Sequence, residues 1–254
     1  MARAADAAQR LRAAGFLAAD DEAQELRAYA GADAEALDRM LTRRLTGEPM
    51  AWITGYSVFC GVEVQVHHGV YVPRIHTEKL ARRAAARLPS HGTAIDVCTG
   101  CGAIARVLMS AHPRARVLAC DIDARAVDCA RANGVETYAG DLFDALPEGL
   151  TSNVDLITAV VPYVPTTELP YLQRDTFTFE QPLAYDGGDD GMHVLRRVAA
   201  ASRRFLKRDG ALLLELGGSQ DRATREELTR LGFDDVRLLH DEDGDVRGIE
   251  ATRG

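Results

Sequence analysis

Between residues 5 and 46 the apolar positions recur at three- and four-residue steps: Leu11, Phe16, Ala19, Ala23 and Leu26, then Leu37, Met40, Leu41 and Leu45. That spacing lays an apolar stripe along each of several helices, and the intervening Ala, Arg and Glu favour the same conformation. A small helical bundle is predicted, broken at Gly47 and Pro49. From Tyr56 to Val72 the pattern turns to alternation, YSVFCGVEVQVHHGVYV, with Gly61 and Gly69 as turn points. A β-hairpin or similar short strands are predicted there, joining bundle to core.

From Thr93 onward, apolar runs and helical segments take turns. AIDVC, RVLAC, VETYA, VDLITAVV and ALLLEL are separated by helices beginning at Ala103 and Ala124, spanning about Met192 to Leu206, and followed by one from Gln220. DVRLLH and VRGIEAT close the chain around the acidic turn DEDGD. Continuous apolar strands alternating with helices predict an α/β fold with a mostly parallel sheet covered on both faces, the last two strands pairing antiparallel. The expected organisation is a helical domain at 1–55, a connector at 56–72 and a main domain at 73–254. The 254 residues suit one full core plus a small appendage.

Composition narrows the partners. Thirty Lys and Arg against 38 Asp and Glu give a net charge of -8, so no general basic field draws in nucleic acid. Apolar runs fall far short of a membrane span, and MARAADAAQRLRAAG interleaves arginine with alanine where an export signal would have a hydrophobic block. The reading is a soluble protein of the reducing cytoplasm, to which five cysteines, an odd number, also point. Cys98 and Cys101 form a C-x-x-C, but zinc needs about four ligands and no second such pair exists. No metal is expected, and His67, His68, His91, His112, His193 and His240 read as structural or exposed.

IDVCTGCGAI, residues 95–104, reads as a strand, a turn with Gly100 and Gly102, and a helix start. Ligand crevices of parallel sheets lie beyond the carboxyl ends of the strands, and glycines let backbone approach a ligand closely. The second strand ends in ACDID, placing Asp121 about 20 residues after the loop, where an acid can accept hydrogen bonds from both ribose hydroxyls. Asp123 reads as the cap of the next helix. The third strand ends in GDLF, bringing Asp141, suited to an exocyclic amine or a backbone group, and Leu142, suited to an adenine face, to the same crevice. A nucleoside ligand follows. A nicotinamide loop would carry a third glycine where Ala105 stands, so the spacing favours S-adenosylmethionine.

GEPMAWITGYSVFCGVEVQVHHGVYVPRIHTEKL, AIDVCTGCGAIA, GDLF, VPYVPT, GGDDG and LLLELGGSQ together resemble the class I methyltransferases that modify the glutamine side-chain amide of peptide-release factors, above all their actinobacterial members. The likeness runs over roughly residues 40–240. It implies a seven-stranded Rossmann-like domain behind an N-terminal helical domain, and a donor site made by Asp96, Cys98, Thr99, Gly100, Cys101, Gly102, Asp121, Ile122, Asp141 and Leu142. In the family the fourth strand ends in N-P-P-Y or N-x-P-Y, whose asparagine and a neighbouring carbonyl grip the substrate amide. Here Val160, Val161, Pro162 and Tyr163 occupy that stretch, and valine can neither donate nor accept. Loss of one such contact costs about 1–3 kcal/mol, roughly one to two decades in rate.

Two further departures matter. Ile75 and His76 stand where relatives carry Pro-Glu or an arginine pair, and His76 reads either as a general base near the sulfonium or as a surface histidine of a hinge. FTFEQPLAYDGGDDG resembles the family's E-P-x-x-A-L-x-G-G-x-D-G segment, with Glu180 matching its acid and Gln181 replacing its proline. Tyr163, His76 and Glu180 are the catalytic candidates. Arg74, Val160, Val161, Pro162, Tyr163 and Tyr185 are the acceptor-binding candidates, Arg74 as a carboxylate partner.

The expected function is methyl transfer from S-adenosylmethionine to a small molecule, favoured over a protein, in a biosynthetic setting; a partner subunit or homodimer fits as well. Two alternatives stand beside it. One is methylation of release-factor glutamine; the other is a methyltransferase fold turned to non-methylating chemistry such as ring closure.

Overall fold

The computed structural model describes residues 2–172, 179–218 and 220–254, with side chains described from residue 6 onward. Helices α1 (Ala2–Ala13), α2 (Ala19–Ala30) and α3 (Ala34–Leu45) form the N-terminal bundle. Its core is the stripe seen in the sequence: Leu11, Ala19, Ala23, Leu26 and Leu41, closed by Ile53. Asp33 caps α3 by accepting from the Glu35 and Ala36 amides at 2.9 Å, which satisfies donors that a first helical turn leaves open. Arg44 clamps Glu22 at 2.8 Å, tying α3 to α2.

Two helices fall outside the sequence pattern. The first is α4 (Met50–Thr54), a single turn set off by Pro49, whose Trp52 indole donates to the Val70 carbonyl at 2.9 Å and fastens the bundle to the connector. The second is α5 (Glu78–Arg87), entered through a tight turn at Ile75–Thr77. The hairpin between them is shorter than the alternation suggested: β1 (Tyr56–Phe59) pairs antiparallel with β2 (Val62–Gln65). Beyond it the Val70 amide donates to the His67 carbonyl and Gly69 takes φ +84°, so the chain bends away from extended geometry. Val66 and Val70 still bury their side chains in the core.

The main sheet contains β3 (Thr93–Val97), β4 (Arg116–Asp121), β5 (Glu136–Ala139), β6 (Val154–Ala159), β7 (Leu206–Glu215), β8 (Phe233–His240) and β9 (Val246–Arg253). Their order is β5-β4-β3-β6-β7-β9-β8. The five strands from β5 to β7 run parallel, and β9 lies antiparallel between β7 and β8. This is the α/β architecture the sequence predicted. Helices α6 (Ala103–Ala111), α7 (Ala124–Ala132), α8 (His193–Phe205) and α9 (Asp221–Arg230) supply the crossovers.

Each face of the sheet carries its own core. α5, α6 and α7 pack on the face shown by Leu156, Ala211 and Leu213; α8 and α9 cover the face shown by Ile157, Leu212 and Leu214. Both faces being buried explains why the strands read as continuous apolar runs. The strand order turns at β3, which has β4 on one side and β6 on the other, and a crevice opens beyond their carboxyl ends. No helix of the described residues is long and apolar enough to cross a membrane.

Candidate functional site

The crevice floor is the loop after β3. Cys98 and Gly100 take φ of +56° and +57°, turning the chain before α6 begins, while the Thr99 and Gly102 amides donate to the carbonyls of Cys120 and Thr99. The two loop glycines do different work. Around Gly100 a Cβ would meet nothing within 4 Å, so its space opens onto the crevice. A Cβ on Gly102 would press on Ala130 Cβ and Val135 Cγ2, both at 3.1 Å, so this glycine lets α6 seat against α7. Gly102 thus lies beneath the loop while Cys98, Thr99, Gly100 and Cys101 line the crevice.

Asp96 is buried under the loop. It accepts from the hydroxyls of Thr99 at 2.6 Å and Thr158 at 2.7 Å. Burial pushes its carboxyl up to about 6, against the pull of those two hydrogen bonds. Asp121, at the end of β4, accepts from the Gly100 amide at 2.9 Å and the Asp123 amide at 3.0 Å. Its acidity is lowered by burial as well. Asp123 caps α7 through the Arg125 amide at 3.0 Å, as its position in the sequence implied. Ile122 is 58% exposed, and Leu142, after the neighbouring strand β5, holds φ +51°. A non-glycine residue accepts such a φ only where its surroundings impose it. Asp141, also on the crevice wall, is paired with Arg197 at 2.7 Å.

The acceptor side is built from the exit of β6, which ends at Ala159, two residues short of the predicted Val161. Val160, Val161, Pro162 and Tyr163 leave the sheet and line the crevice together with Phe59, Tyr71 and Tyr185. Three features hold this exit in place. The Tyr163 ring lies so close to Gly217 that a Cβ there would come within 2.4 Å of it. Gln220 donates to the Tyr163 carbonyl at 2.9 Å and to the Gly191 carbonyl at 3.1 Å, and accepts from the Gly217 amide at 3.1 Å. Val164 exchanges backbone hydrogen bonds with Tyr185 and Gly187, tying the exit to the GGDDG loop. Burial, and then the nearby Glu215, push the Tyr163 hydroxyl up to about 12, so at neutral pH it is a hydrogen-bond donor and no base.

Arg74 is fixed inside the protein. Its guanidinium donates to Glu180 at 2.5 Å and to the Tyr185 hydroxyl at 2.8 Å, and lies 4.9 Å over the Tyr71 ring. Glu180, 4% exposed, accepts also from the Val72 amide at 2.9 Å. Its carboxylate therefore anchors the connector and borders a second groove, shared with Tyr29, Tyr56 and Val58, instead of the crevice wall. His76 lies outside the crevice lining too, with Nε2 3.4 Å from the Glu215 carboxylate. No cluster of three or more metal-ligating side chains occurs among the described residues, and all five cysteines are free thiols. Cys98 and Cys101 both have their thiols held protonated by burial.

Sequence reasoning passed over four side chains that shape this site: Thr158, Glu215, Gln220 and Asn133. Asn133 accepts from the Gln65 amide at 2.8 Å and donates to the carbonyls of Gln65 and Cys101 at 2.9 and 2.8 Å. It thereby hangs the hairpin over the glycine loop. Only LLLELGGSQ, which holds Glu215 and Gln220, carried a signal in the sequence.

Residues 62–157 match the family model of the methyltransferase small domain. A release factor glutamine methyltransferase of Geobacter sulfurreducens is 32% identical over 221 residues, which are 85% of this chain and 77% of that protein. The chain belongs to the release factor glutamine methyltransferase family. A 4-amino-L-phenylalanine/4-methylamino-L-phenylalanine methyltransferase of Streptomyces pristinaespiralis is 36% identical over 192 residues, 70% of this chain and 64% of that protein. A solved methyltransferase of Pyrococcus furiosus shares the fold, with a TM-score of 0.55, 19% identity, and coverage of 76% of this chain and 90% of that one. As a member of the glutamine methyltransferase family, this chain is a class I S-adenosylmethionine-dependent methyltransferase.

The residues fit that donor. Asp121 spends two acceptor positions on backbone amides and, having about four, keeps two for a pair of ribose hydroxyls. Ile122 and Leu142 both give the crevice wall apolar surface suited to a flat base, and the acids Asp96, Asp121, Asp123 and Asp141 on the wall suit a cationic ligand.

Proposed function

We propose that this enzyme methylates a small molecule, in the cytoplasm, and not the glutamine of a release factor. The observation that carries the reading is the exit of β6: the acceptor wall is Val160, Val161, Pro162 and Tyr163, facing Phe59, Tyr71 and Tyr185. No side-chain amide stands at Val160 to grip a substrate amide. A glutamine amide is a poor nucleophile with a delocalised lone pair and needs directed acceptors to present it. An apolar, aromatic-rich pocket suits a compact acceptor that docks by shape. The relative from Streptomyces pristinaespiralis, whose name gives an aromatic amino acid as its substrate, supports the same reading.

When bound, S-adenosylmethionine supplies a methyl group carried on a sulfonium. The roles of the chain follow from displacement chemistry, in which alignment and exclusion of water do most of the work. The Gly100 loop, Asp121, Ile122, Asp141 and Leu142 hold the nucleoside. Tyr163, clamped by Gln220 and packed on Gly217, fixes the acceptor wall. Arg74 and Glu180 lock Tyr71 and Tyr185 in place. Radiolabelled donor offered together with a synthetic glutamine peptide and 4-amino-L-phenylalanine tests the reading. Label is expected in the small molecule; label in the peptide alone would refute it.

A further inference from the structure

Glu215 ends β7 with a side chain 1% exposed. The Tyr163 hydroxyl is placed to share a side-chain hydrogen bond with it, and a carboxylate has about four acceptor positions, so acceptor capacity remains. His76 Nε2 stands 3.4 Å away, and Arg247 is occupied by Asp241 and Asp245. Thr77 Oγ1, on the same side of the sheet and on the crevice wall, is buried without a hydrogen-bond partner among the described residues.

The last paired rung of the two strands is Ala159 of β6 with Leu214 of β7, so Val160 and Glu215 are the residues that follow it as β6 leaves the sheet. Val160 packs on the core that contains Leu213, and Glu215, two residues after Leu213, projects to that same face. Val160, Thr77 and Tyr163 are on the crevice wall, and Glu215 lies behind it. Valine at 160 offers the carboxylate no polar partner.

We infer that Glu215, with Thr77 and Tyr163, forms a subsite for an acceptor nitrogen that bears N–H, so that the enzyme methylates amines and discriminates against phenols. The inference rests on the small-molecule reading above. As the nitrogen lone pair forms the new N–C bond, the S–C bond breaks with its electrons going to sulfur, and positive charge passes from sulfur to nitrogen. Glu215 accepts the N–H hydrogen bond, stabilises that charge, and takes the proton afterwards, with His76 Nε2 as the next station toward solvent. A phenol would have to become an anion beside the same carboxylate. Tyr163 reports how this environment treats a phenol: its hydroxyl is held protonated to about 12, by burial first and Glu215 second.

The test measures binding and turnover of paired amines and hydroxyl isosteres, beginning with 4-amino-L-phenylalanine and L-tyrosine and including aliphatic pairs. Calorimetry is done with S-adenosylhomocysteine present, so that affinity is read apart from activity. The wild type should bind and methylate an amine at least tenfold better than its hydroxyl partner. Glu215→Gln should lose at least tenfold in amine affinity and more in kcat, with S-adenosylhomocysteine affinity unchanged as the check on folding. Val160→Asn, which sets an amide on the crevice wall next to the end of β7, should weaken amine binding too. A hydroxyl isostere preferred over its amine, or amine binding and turnover indifferent to Glu215→Gln, overturns the subsite while leaving the small-molecule reading intact. Label entering the glutamine peptide with no amine bound overturns both.

Discussion

Replacing Asp121 with alanine should cost this enzyme most of its affinity for the donor while leaving the fold in place. The carboxylate sits at the end of β4 with Oδ2 on the Gly100 amide and Oδ1 on the Asp123 amide. Each oxygen retains one acceptor position, so both ribose hydroxyls can be met by one side chain. Hydrogen bonds to a charged group contribute about 1.5–3 kcal/mol each. Two of them amount to roughly 3–6 kcal/mol, two to four decades in dissociation constant. Asn is no gentle substitute: its NH2 group must point at one of the two amides, setting donor against donor. Calorimetric titration of S-adenosylhomocysteine into wild type, Asp121→Ala and Asp121→Asn measures the loss, and circular dichroism confirms the fold. Affinity of Asp121→Ala within threefold of wild type would refute the assignment of the ribose to this carboxylate.

The loop glycines should separate by readout: Gly100→Ala intrudes on the crevice and weakens donor binding, whereas Gly102→Ala presses on Ala130 and Val135 and lowers the melting temperature. The buried Asp96 gives a pH signature. Its folded carboxyl titrates at about 6 against about 4 when unfolded, so between those values the folded state keeps a proton the unfolded state has lost. Stability contributed by this group therefore falls as pH rises through that window and is level above it, by up to about 3 kcal/mol; denaturant melts of wild type and Asp96→Asn at pH 4.5 and 7 should show the slope flattened in the variant. Arg74→Ala should destabilise by about 3 kcal/mol or more by taking the cation from the buried Glu180, and Arg74→Lys should recover only part because lysine cannot reproduce the fork onto Glu180 and Tyr185.

The parallel sheet and the crevice beyond its strand ends were legible because both leave local marks. Buried strands need continuous apolar runs, and the turn that floors the crevice carries Gly100 at positive φ with its amide on Asp121. The bundle was legible from its stripe. What escaped depends on tertiary contact. Nothing in the sequence near Glu180 tells that its carboxylate would be spent on Val72 and Arg74, more than a hundred residues earlier. His76 was read for its chemistry, but its position beside Glu215 follows from how α5 packs against β7. That Val160 and Glu215 both follow the last paired rung depends on the β6–β7 register, which no local pattern encodes. The strand β6 was read two residues too long because Val160 and Val161 continue its apolar run while their backbone already leaves the sheet.

The most direct measurement is a crystal structure of the enzyme with S-adenosylhomocysteine bound. The account requires both ribose hydroxyls on Asp121, the adenine against Ile122 and Leu142, and the sulfur facing the wall made by Val160, Pro162 and Tyr163. A nucleoside lodged elsewhere, or a sulfur turned away from that wall, would contradict it.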